Sequence, residues 1–290
     1  MGIPMNSTCY LCHLQRNVET AQRLGDEATA TAFARKLMEL YLSAPPEASS
    51  PWLAAETSRL FQEFYGLEED RFRQEKIDSN RFAMERLPQI RQRVADAADP
   101  VYAGLQFAIL GNYLDFSALQ GQVSYEDLSK MLDKAADMQV DRATFDRLVA
   151  DLKTAKKLLY LTDNAGEIVF DRVFAETLRD TFPQLQITFC VRGGPAHNDA
   201  TREDAAAVGI PFPVIDNGNR VGGTELSLLS AEAKKAMDEA DLILSKGMGN
   251  TETLLGSGYN IYFAFLVKCP RFMEYFQKPK MAPMLVRELP

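Results

Sequence analysis

The chain of 290 residues is long enough to bury a sizeable core, and its 46% hydrophobic and 25% charged content is ordinary for a globular protein. A formal net charge of −8 at pH 7, with no basic stripe to offset it, argues against a nucleic-acid partner. The longest apolar run, residues 261–267, is too short to span a membrane, and the first residues lack the features of a signal peptide. We therefore expect a cytoplasmic protein.

The amino-terminal end carries Cys9-x-x-Cys12 followed by His13, which is the short pattern of haem attachment. A four-ligand zinc site would need a second close pair of cysteines, and Cys190 and Cys269 do not form one. Three interpretations stay open: an incidental or structural pair of thiols, a metal or redox role, and haem attachment.

Residues 14–156 predict one helix after another. Apolar residues recur at three- and four-residue spacing in the segments 18–24, 32–42 and 53–65. Pro51 suits the first turn of the third of these helices. A long polar helix is expected at about residues 70–97, and Pro88 should kink or split it.

The segment 103–116 is apolar nearly all round and predicts a buried helix. Asn112 and Asp115 lie near its end, three residues apart and so on one face. The pair either caps the helix, as composition alone favours, or contributes to a binding site. We keep both residues as candidates for substrate binding.

From Lys157 onward the pattern changes to alternating strands and helices, which indicates a parallel Rossmann-like sheet. Strands are expected at 158–162, 186–191, 212–215, 241–245 and 261–267. Helices are expected near 166–180, 201–208, 230–239 and 250–256. The chain is thus predicted to be an α/β protein with an all-helical domain in residues 1–150 and a Rossmann-like domain in residues 151–290.

Polar, glycine-rich segments follow three of the expected strands, at residues 163–167, 192–201 and 246–250. Ligands of open parallel sheets bind outside the carboxyl ends of the strands, so three such segments suggest a single site. Their Asp and Asn side chains are hard oxygen ligands for an ion such as Mg²⁺ or Mn²⁺, and their lysines and glycine-rich turns suit an anion. Helix capping could explain one such segment, but three that converge favour a site.

The signatures of several other enzyme classes are missing. The chain contains neither G-x-G-x-x-G nor G-x-x-x-x-G-K-[ST], which disfavours a dinucleotide dehydrogenase or a P-loop ATPase. It has no G-x-S-x-G motif and only two histidines, which disfavours a Ser-His-Asp hydrolase.

Together these motifs resemble the family once called domain of unknown function 89, the metal-dependent damage-control phosphatases related to the ARMT1-like proteins. The matching segments are Thr162-Asp-Asn-Ala-Gly-Glu-Ile-Val-Phe-Asp171, Arg192-Gly-Gly-Pro195, Asn198-Asp-Ala-Thr201 and Ser245-Lys-Gly-Met-Gly-Asn250. The resemblance extends to residues 70–80 with Lys76 and to residues 111–115. The pair Cys9-x-x-Cys12 resembles the archaeal and bacterial subgroup.

The resemblance implies a helical domain beside a Rossmann-like α/β/α sandwich, and hydrolysis of phosphomonoesters with Mn²⁺, Co²⁺, Ni²⁺ or Mg²⁺. The family's metal ligands fall here on Asp163, Asn164 and Asp199. Its substrate loop falls on Gly247, Met248, Gly249, Asn250 and Thr251. A lysine after the last strand of the family matches Lys268, although Leu266-Val267 replaces the Arg-Thr that precedes it in eukaryotic members.

The residues permit a scheme in which a cation on these ligands polarises phosphorus and orients the attacking water. Lys246 or Lys268, with the N–H groups of the glycine-rich turn, would neutralise the phosphoryl oxygens. Glu167 could position water, order the ligands or complement the helix dipole. Arg192 either binds phosphate or pairs with a carboxylate. The candidate catalytic residues are therefore Asp163, Asn164, Asp199, Lys246 and Glu167. The candidates for substrate binding are Arg192, Asn198, residues 247–251, Lys268, Asn112 and Asp115.

Other interpretations stay open. Asp163 could itself attack phosphorus, or the protein could be a non-catalytic module that binds a metal ion or a nucleotide. An older family label, protein carboxyl methyltransferase, has no independent support in this sequence. The expected partner is a small phosphorylated metabolite, such as a sugar phosphate, a phosphopantetheine-like compound or another damaged metabolite, and the oligomeric state is open. Asp171 and Arg172 are expected to be solvated or to lie between domains.

Overall fold

The computed structural model describes residues 2–68, 70–114, 130, 132 and 135–288, and the amino-terminal part of the chain is helical. Its helices are α1 (Ser7–Leu24), α2 (Glu27–Ser43), α3 (Ser50–Tyr65), α4 (Arg73–Ala95), α5 (Pro100–Gly111) and α6 (Arg142–Leu152), with 3₁₀ turns at Asn112–Leu114 and Ala135–Asp137. Most begin after a side chain that accepts an N–H group of the first turn; these caps are Asn6, Asp26, Ser49, Asp99 and Asp141. Pro51 lies in the first turn of α3, as expected.

Helix α4 runs without a break from Arg73 to Ala95 although Pro88 lies inside it. The split expected at this proline does not occur. Proline removes one helical hydrogen bond, but α4 buries Phe82 and Leu87 before Pro88 and Ile90 after it in the main hydrophobic core. Burial on both sides of the proline keeps the helix continuous.

The carboxyl-terminal part forms one six-stranded sheet. Its strands are β1 (Lys157–Leu161), β2 (Gln186–Val191), β3 (Val214–Asp216), β4 (Leu242–Lys246), β5 (Ile261–Leu266) and β6 (Pro283–Glu288). The order is β3-β2-β1-β4-β5-β6, and all neighbours are parallel except β5 and β6. The chain leaves β1 towards β2 on one side while β4 adjoins it on the other, so the topological switch point lies between β1 and β4.

The predicted α/β class and the five parallel strands are confirmed, with ends shifted by up to two residues. The helices after the strands are α7 (Glu167–Thr181), α8 (Arg202–Ala207), α9 (Ala231–Glu239), α10 (Gly247–Leu254) and α11 (Pro270–Phe276). Helix α10 begins three residues earlier than expected because the glycine-rich turn after β4 is itself its first turn. Strand β6 was not expected, because this edge strand is only partly buried and begins with a proline.

Both faces of the sheet are covered. Along β1, Leu158 and Tyr160 enter a core shared with α4, α5 and α7, whereas Leu159 and Leu161 enter a second core on the side of α9, α10 and α11. Helices α1, α2 and α3 enclose a smaller separate cluster. The domain boundary near residue 150 stays a prediction, since α6 runs through that point and α5 packs directly on α7.

Within these described residues, no helix combines the length and the apolar character that crossing a membrane requires.

Candidate active site

Backbone hydrogen bonds hold the segments after β1 and β2 side by side. The Ala200 N–H group donates to the Asp163 carbonyl at 2.8 Å, and the Ala165 N–H group donates to the Asn198 carbonyl at 2.8 Å. An isolated antiparallel bridge pairs Asn164 with Asp199. The three residues expected to bind the metal therefore meet at the carboxyl edge of the sheet, as the adjacency of the two strands requires.

Asn112 connects the helical part of the chain to this edge. Its amide nitrogen donates to Asp163 Oδ2 at 2.9 Å and to Glu167 Oε2 at 2.8 Å, and its oxygen accepts the Leu266 N–H group at 3.3 Å. The side chain is fully buried, so its hydrogen bonds fix two carboxylates relative to β5. The structure thus places Asn112 among the candidate catalytic residues, while its partner in the sequence pattern, Asp115, lies outside the described residues.

Lys246 lies beneath the site in a fully buried ion cluster. Its ammonium group donates to Glu167 Oε1 at 2.5 Å, Asp171 Oδ1 at 2.7 Å and the Ala108 carbonyl at 2.7 Å. These carboxylates raise the pKa of Lys246 despite the opposing effect of burial, which is the largest single influence. With its three protons engaged, Lys246 is suited to hold Glu167 in place rather than to contact a phosphate oxygen.

Asp171 is not solvated, so the first of the two positions expected for it is wrong, whereas the second, between the domains, stays a prediction. Its side chain is fully buried, and Oδ1 accepts hydrogen bonds from Lys246 and from the Tyr160 hydroxyl, the latter at 2.7 Å. Burial raises the pKa of Asp171 to about 7. The sequence did carry a signal, since Asp171 is one turn after Glu167 in α7 and so lies on the same helix face.

Arg192 faces both acidic residues of the expected metal site. Its Nε donates to Asp199 Oδ2 at 2.6 Å and its Nη1 to Asn250 Oδ1 at 3.0 Å. The remaining nitrogen, Nη2, is 3.8 Å from Asp163 Oδ1, and it is buried without a hydrogen-bond partner among the described residues. Of the two roles expected for Arg192, the pairing with a carboxylate is present, and Nη2 retains the capacity to bind an anion.

The turn after β4 packs directly against the Asp163 carboxylate. Gly247 has a φ of 79°, and a Cβ atom there would overlap that carboxylate. Two residues on, a Cβ on Gly249 would overlap the Gly222 carbonyl oxygen. The turn therefore needs glycine at both positions, and the N-terminal end of α10 lies next to Asp163 because of it.

Asn250 and Thr251 lie behind this turn and are buried. The Asn250 amide donates to the carbonyls of Thr162 and Lys246 at 3.0 and 2.7 Å and accepts from Arg192 and Thr224. The Thr251 hydroxyl donates to the Gly247 carbonyl at 2.9 Å. Both side chains thus hold the turn in place. Thr224 could not be predicted from the sequence, because it comes from a loop with no motif of its own.

Negative charge dominates the centre of the site. Burial and the neighbouring carboxylates of Asp199 and Glu167 raise the pKa of Asp163 well above its usual range, and Lys268 and Arg192 only partly offset them. One end of the Asn164 amide lies 3.0 Å from Asp163 Oδ2 and 3.1 Å from Glu167 Oε2. That end is either a nitrogen that donates to both or an oxygen that needs a cation beside it.

The residues therefore fit a hard divalent cation. Asp163, Asn164 and Asp199 offer oxygen atoms, and a cation would relieve the repulsion between the two carboxylates. In the part of the chain that the structure describes, no group of three His, Cys, Asp or Glu side chains is arranged to hold a metal ion. That result is consistent with a ligand set that includes an asparagine.

The site opens into a cavity of about 840 Å³. Its wall includes Asp163, Asn164, Asn198 and Asp199 at one end, with Met248, Gly249 and Lys268 beside them. The Lys268 N–H group donates to the Met248 sulfur at 3.3 Å. Cys9, Cys12 and His13 of α1 line the same cavity, so this motif lies much nearer the site than its position in the sequence suggested.

Known proteins resemble this chain along nearly its whole length. The model of the damage-control phosphatase ARMT1-like domain matches residues 5–282. A damage-control phosphatase of Pyrococcus horikoshii is 32% identical over 289 residues, which are 97% of this chain and 96% of that protein. A damage-control phosphatase of Archaeoglobus fulgidus is 33% identical over 237 residues, 80% of each chain. The crystal structure of a DUF89 family protein from Pyrococcus horikoshii has a TM-score of 0.80 at 27% identity and covers 98% of this chain and 99% of its own.

Proposed function

This chain belongs to the damage-control phosphatase ARMT1-like family, and from that premise we propose that it hydrolyses phosphomonoesters of small metabolites with the help of a divalent cation. The observation that carries the proposal is the meeting of Asp163, Asn164 and Asp199 at the carboxyl edge of the sheet, next to a buried guanidinium nitrogen without a hydrogen-bond partner among the described residues. Excess negative charge there suits a cation, and the unsatisfied donor suits a phosphate. The subgroup indicated by Cys9-x-x-Cys12 stays a prediction.

We assign the cation to Asp163, Asn164 and Asp199. When bound, Mn²⁺, Co²⁺, Ni²⁺ or Mg²⁺ would polarise the phosphoryl group and increase the acidity of a water molecule. Asn112 acts through these ligands, because it donates a hydrogen bond to the Asp163 carboxylate. Glu167 accepts hydrogen bonds from the same Asn112 amide and from Lys246, and so it holds Asn112 in place. Such outer hydrogen bonds keep the ligand oxygens directed at one point.

The phosphoryl oxygens would be bound by groups of the chain that surround Asp163. Arg192 Nη2 can donate one hydrogen bond to them. Lys268 lines the cavity, and its charge already lowers the pKa of Asp163, so it is placed to balance the charge of a phosphate as well. The N-terminal turn of α10 adds backbone N–H groups. In this scheme Lys268, rather than the deeply buried Lys246, is the lysine that contacts the substrate.

The leaving group would occupy the rest of the cavity, whose 840 Å³ can hold a sugar or a larger fragment. The substrates that we propose are sugar phosphates, phosphopantetheine-like compounds and other damaged phosphorylated metabolites.

The test is release of inorganic phosphate from 4-nitrophenyl phosphate and from a panel of these metabolites. We expect no turnover after chelator treatment and recovery with Mn²⁺, Co²⁺, Ni²⁺ or Mg²⁺, since the ligands are oxygen atoms. Asp238→Ala is a suitable control variant, because Asp238 is an exposed carboxylate on α9 that pairs with Lys234. Undiminished turnover in a metal-stripped sample would refute the proposal.

A further inference from the structure

Arg71 lies in the turn between α3 and α4, and its guanidinium group lies over the rings of two aromatic side chains. Its Cζ atom is 5.0 Å from the centroid of the Phe61 ring and 4.9 Å from that of the Phe72 ring. Phe61 is itself buried in the cluster of the first three helices, so one wall of this arrangement is rigid. Stacking fixes the plane of a guanidinium and leaves the N–H groups at its edge available to an anion.

No anion of the described chain uses those N–H groups. Of the acidic residues nearby, Asp70 pairs with Lys76 at 2.8 Å and Glu56 pairs with Arg59 at 2.7 Å. Arg71 itself forms neither an ion pair nor a hydrogen bond with any residue whose position the structure describes. Burial also lowers the pKa of its guanidinium group. A partly desolvated cation without a counter-charge is costly unless a ligand supplies one.

Arg71 lines the same cavity as the candidate active site. It also lines a side pocket of about 110 Å³, whose wall includes His197 and Arg220. The His197 ring packs on the Phe72 ring at 5.4 Å between centroids. His197 has a φ of 49° and is two residues from Asp199. Arg71, Phe72 and His197 therefore line the same cavity as the expected metal ligands.

We propose that Arg71 is a specificity residue that binds a second anionic group of the substrate, so that the preferred substrates are phosphomonoesters whose leaving group carries a carboxylate or another phosphate. This inference rests on the proposed function, since it takes the reacting phosphate to lie at Asp163, Asn164 and Asp199. A planar guanidinium fork recognises carboxylate and phosphate alike.

Binding of stable analogues tests this subsite directly. Isothermal titration of the metal-loaded protein would compare alkylphosphonates of two to six carbons with the same chains ending in a carboxylate or in a second phosphonate. We expect the best doubly charged analogue to bind about 10- to 100-fold more tightly than its alkyl counterpart, as one charge-assisted hydrogen-bonded pair provides. The two end groups distinguish a carboxylate from a phosphate. If no doubly charged analogue binds more tightly than its alkyl counterpart in the wild-type protein, the subsite does not exist.

Variants then assign the effect to Arg71. Arg71→Gln should remove the preference for the doubly charged analogue and leave binding of the alkylphosphonates within about twofold, whereas Arg71→Lys should retain part of it. Arg35→Gln is the matched control, because Arg35 is exposed on α2 and lines neither cavity. An unchanged preference in folded Arg71→Gln would overturn the assignment. Failure of the proposed function would look different, because then 4-nitrophenyl phosphate would not be turned over by the wild-type protein at all.

Discussion

At the scale of single residues, the site depends on how closely the turn after β4 approaches Asp163. Gly247 and Gly258 both have φ near 80°, at 79° and 82°, but only a Cβ at Gly247 would meet neighbouring atoms. A comparison of the same substitution at the two glycines therefore separates the effect of backbone strain from the effect of displacing the Asp163 carboxylate.

We predict that Gly247→Ala abolishes turnover and weakens Mn²⁺ binding by at least about tenfold, because the new methyl group displaces the Asp163 carboxylate. Gly258→Ala should lose about 1 kcal/mol of stability through its positive φ and keep both properties. Thermal unfolding, Mn²⁺ titration and steady-state kinetics on both variants would check this. Equal effects of the two substitutions on Mn²⁺ binding would contradict the geometry.

At the scale of elements, α1 contacts α3 through a half-buried histidine. His13 Nε2 is 2.9 Å from the Ser50 hydroxyl oxygen, and burial, with a smaller effect of Arg16, lowers the pKa of His13 to about 4 from 6.5. The folded state therefore binds fewer protons than the unfolded state between these values. The contribution of His13 to stability must therefore fall as the pH falls from 6.5 towards 4.

We predict that His13→Gln reduces this loss, because glutamine can keep the hydrogen bond to Ser50 without titrating. The difference between the two proteins should grow to about 2 kcal/mol at pH 4, after allowance for the part of the ring that is exposed. Urea unfolding at several pH values measures it, and carboxylates titrate in both proteins and so cancel in the comparison. Parallel stability curves would show that His13 is not responsible.

Sequence patterns identified most of the elements and missed those whose placement depends on distant packing. Alternation of strand and helix signals gave the five parallel strands, because buried parallel strands are continuous apolar runs. The continuity of α4 through Pro88 depends on its burial in the main core, and β6 exists because it pairs with β5. Neither contact leaves a local signal.

At the scale of the whole molecule, the fold brings Asp163, Asn164 and Asp199 together because β1 and β2 are neighbours, and this was predictable from the rule that ligands bind at strand ends. The burial of Lys246 with Asp171 was not predictable from the sequence, because it depends on the packing of α5 over α7. That packing places Lys246 under the site and leaves Lys268 facing the cavity. Long-range packing thus decides which of two lysines could reach a substrate.

The central claim is that carboxylates bind a cation while Lys268 acts on phosphate, and calorimetric titration of Mn²⁺ into two variants tests it most directly. Asp199→Ala should abolish Mn²⁺ binding and turnover together. Lys268→Ala should bind Mn²⁺ nearly as the wild-type protein does while turnover falls by about 10²- to 10³-fold, as loss of one charged contact in the transition state predicts. If Asp199→Ala keeps its Mn²⁺ affinity while Lys268→Ala loses it, the roles assigned to the two residues are contradicted.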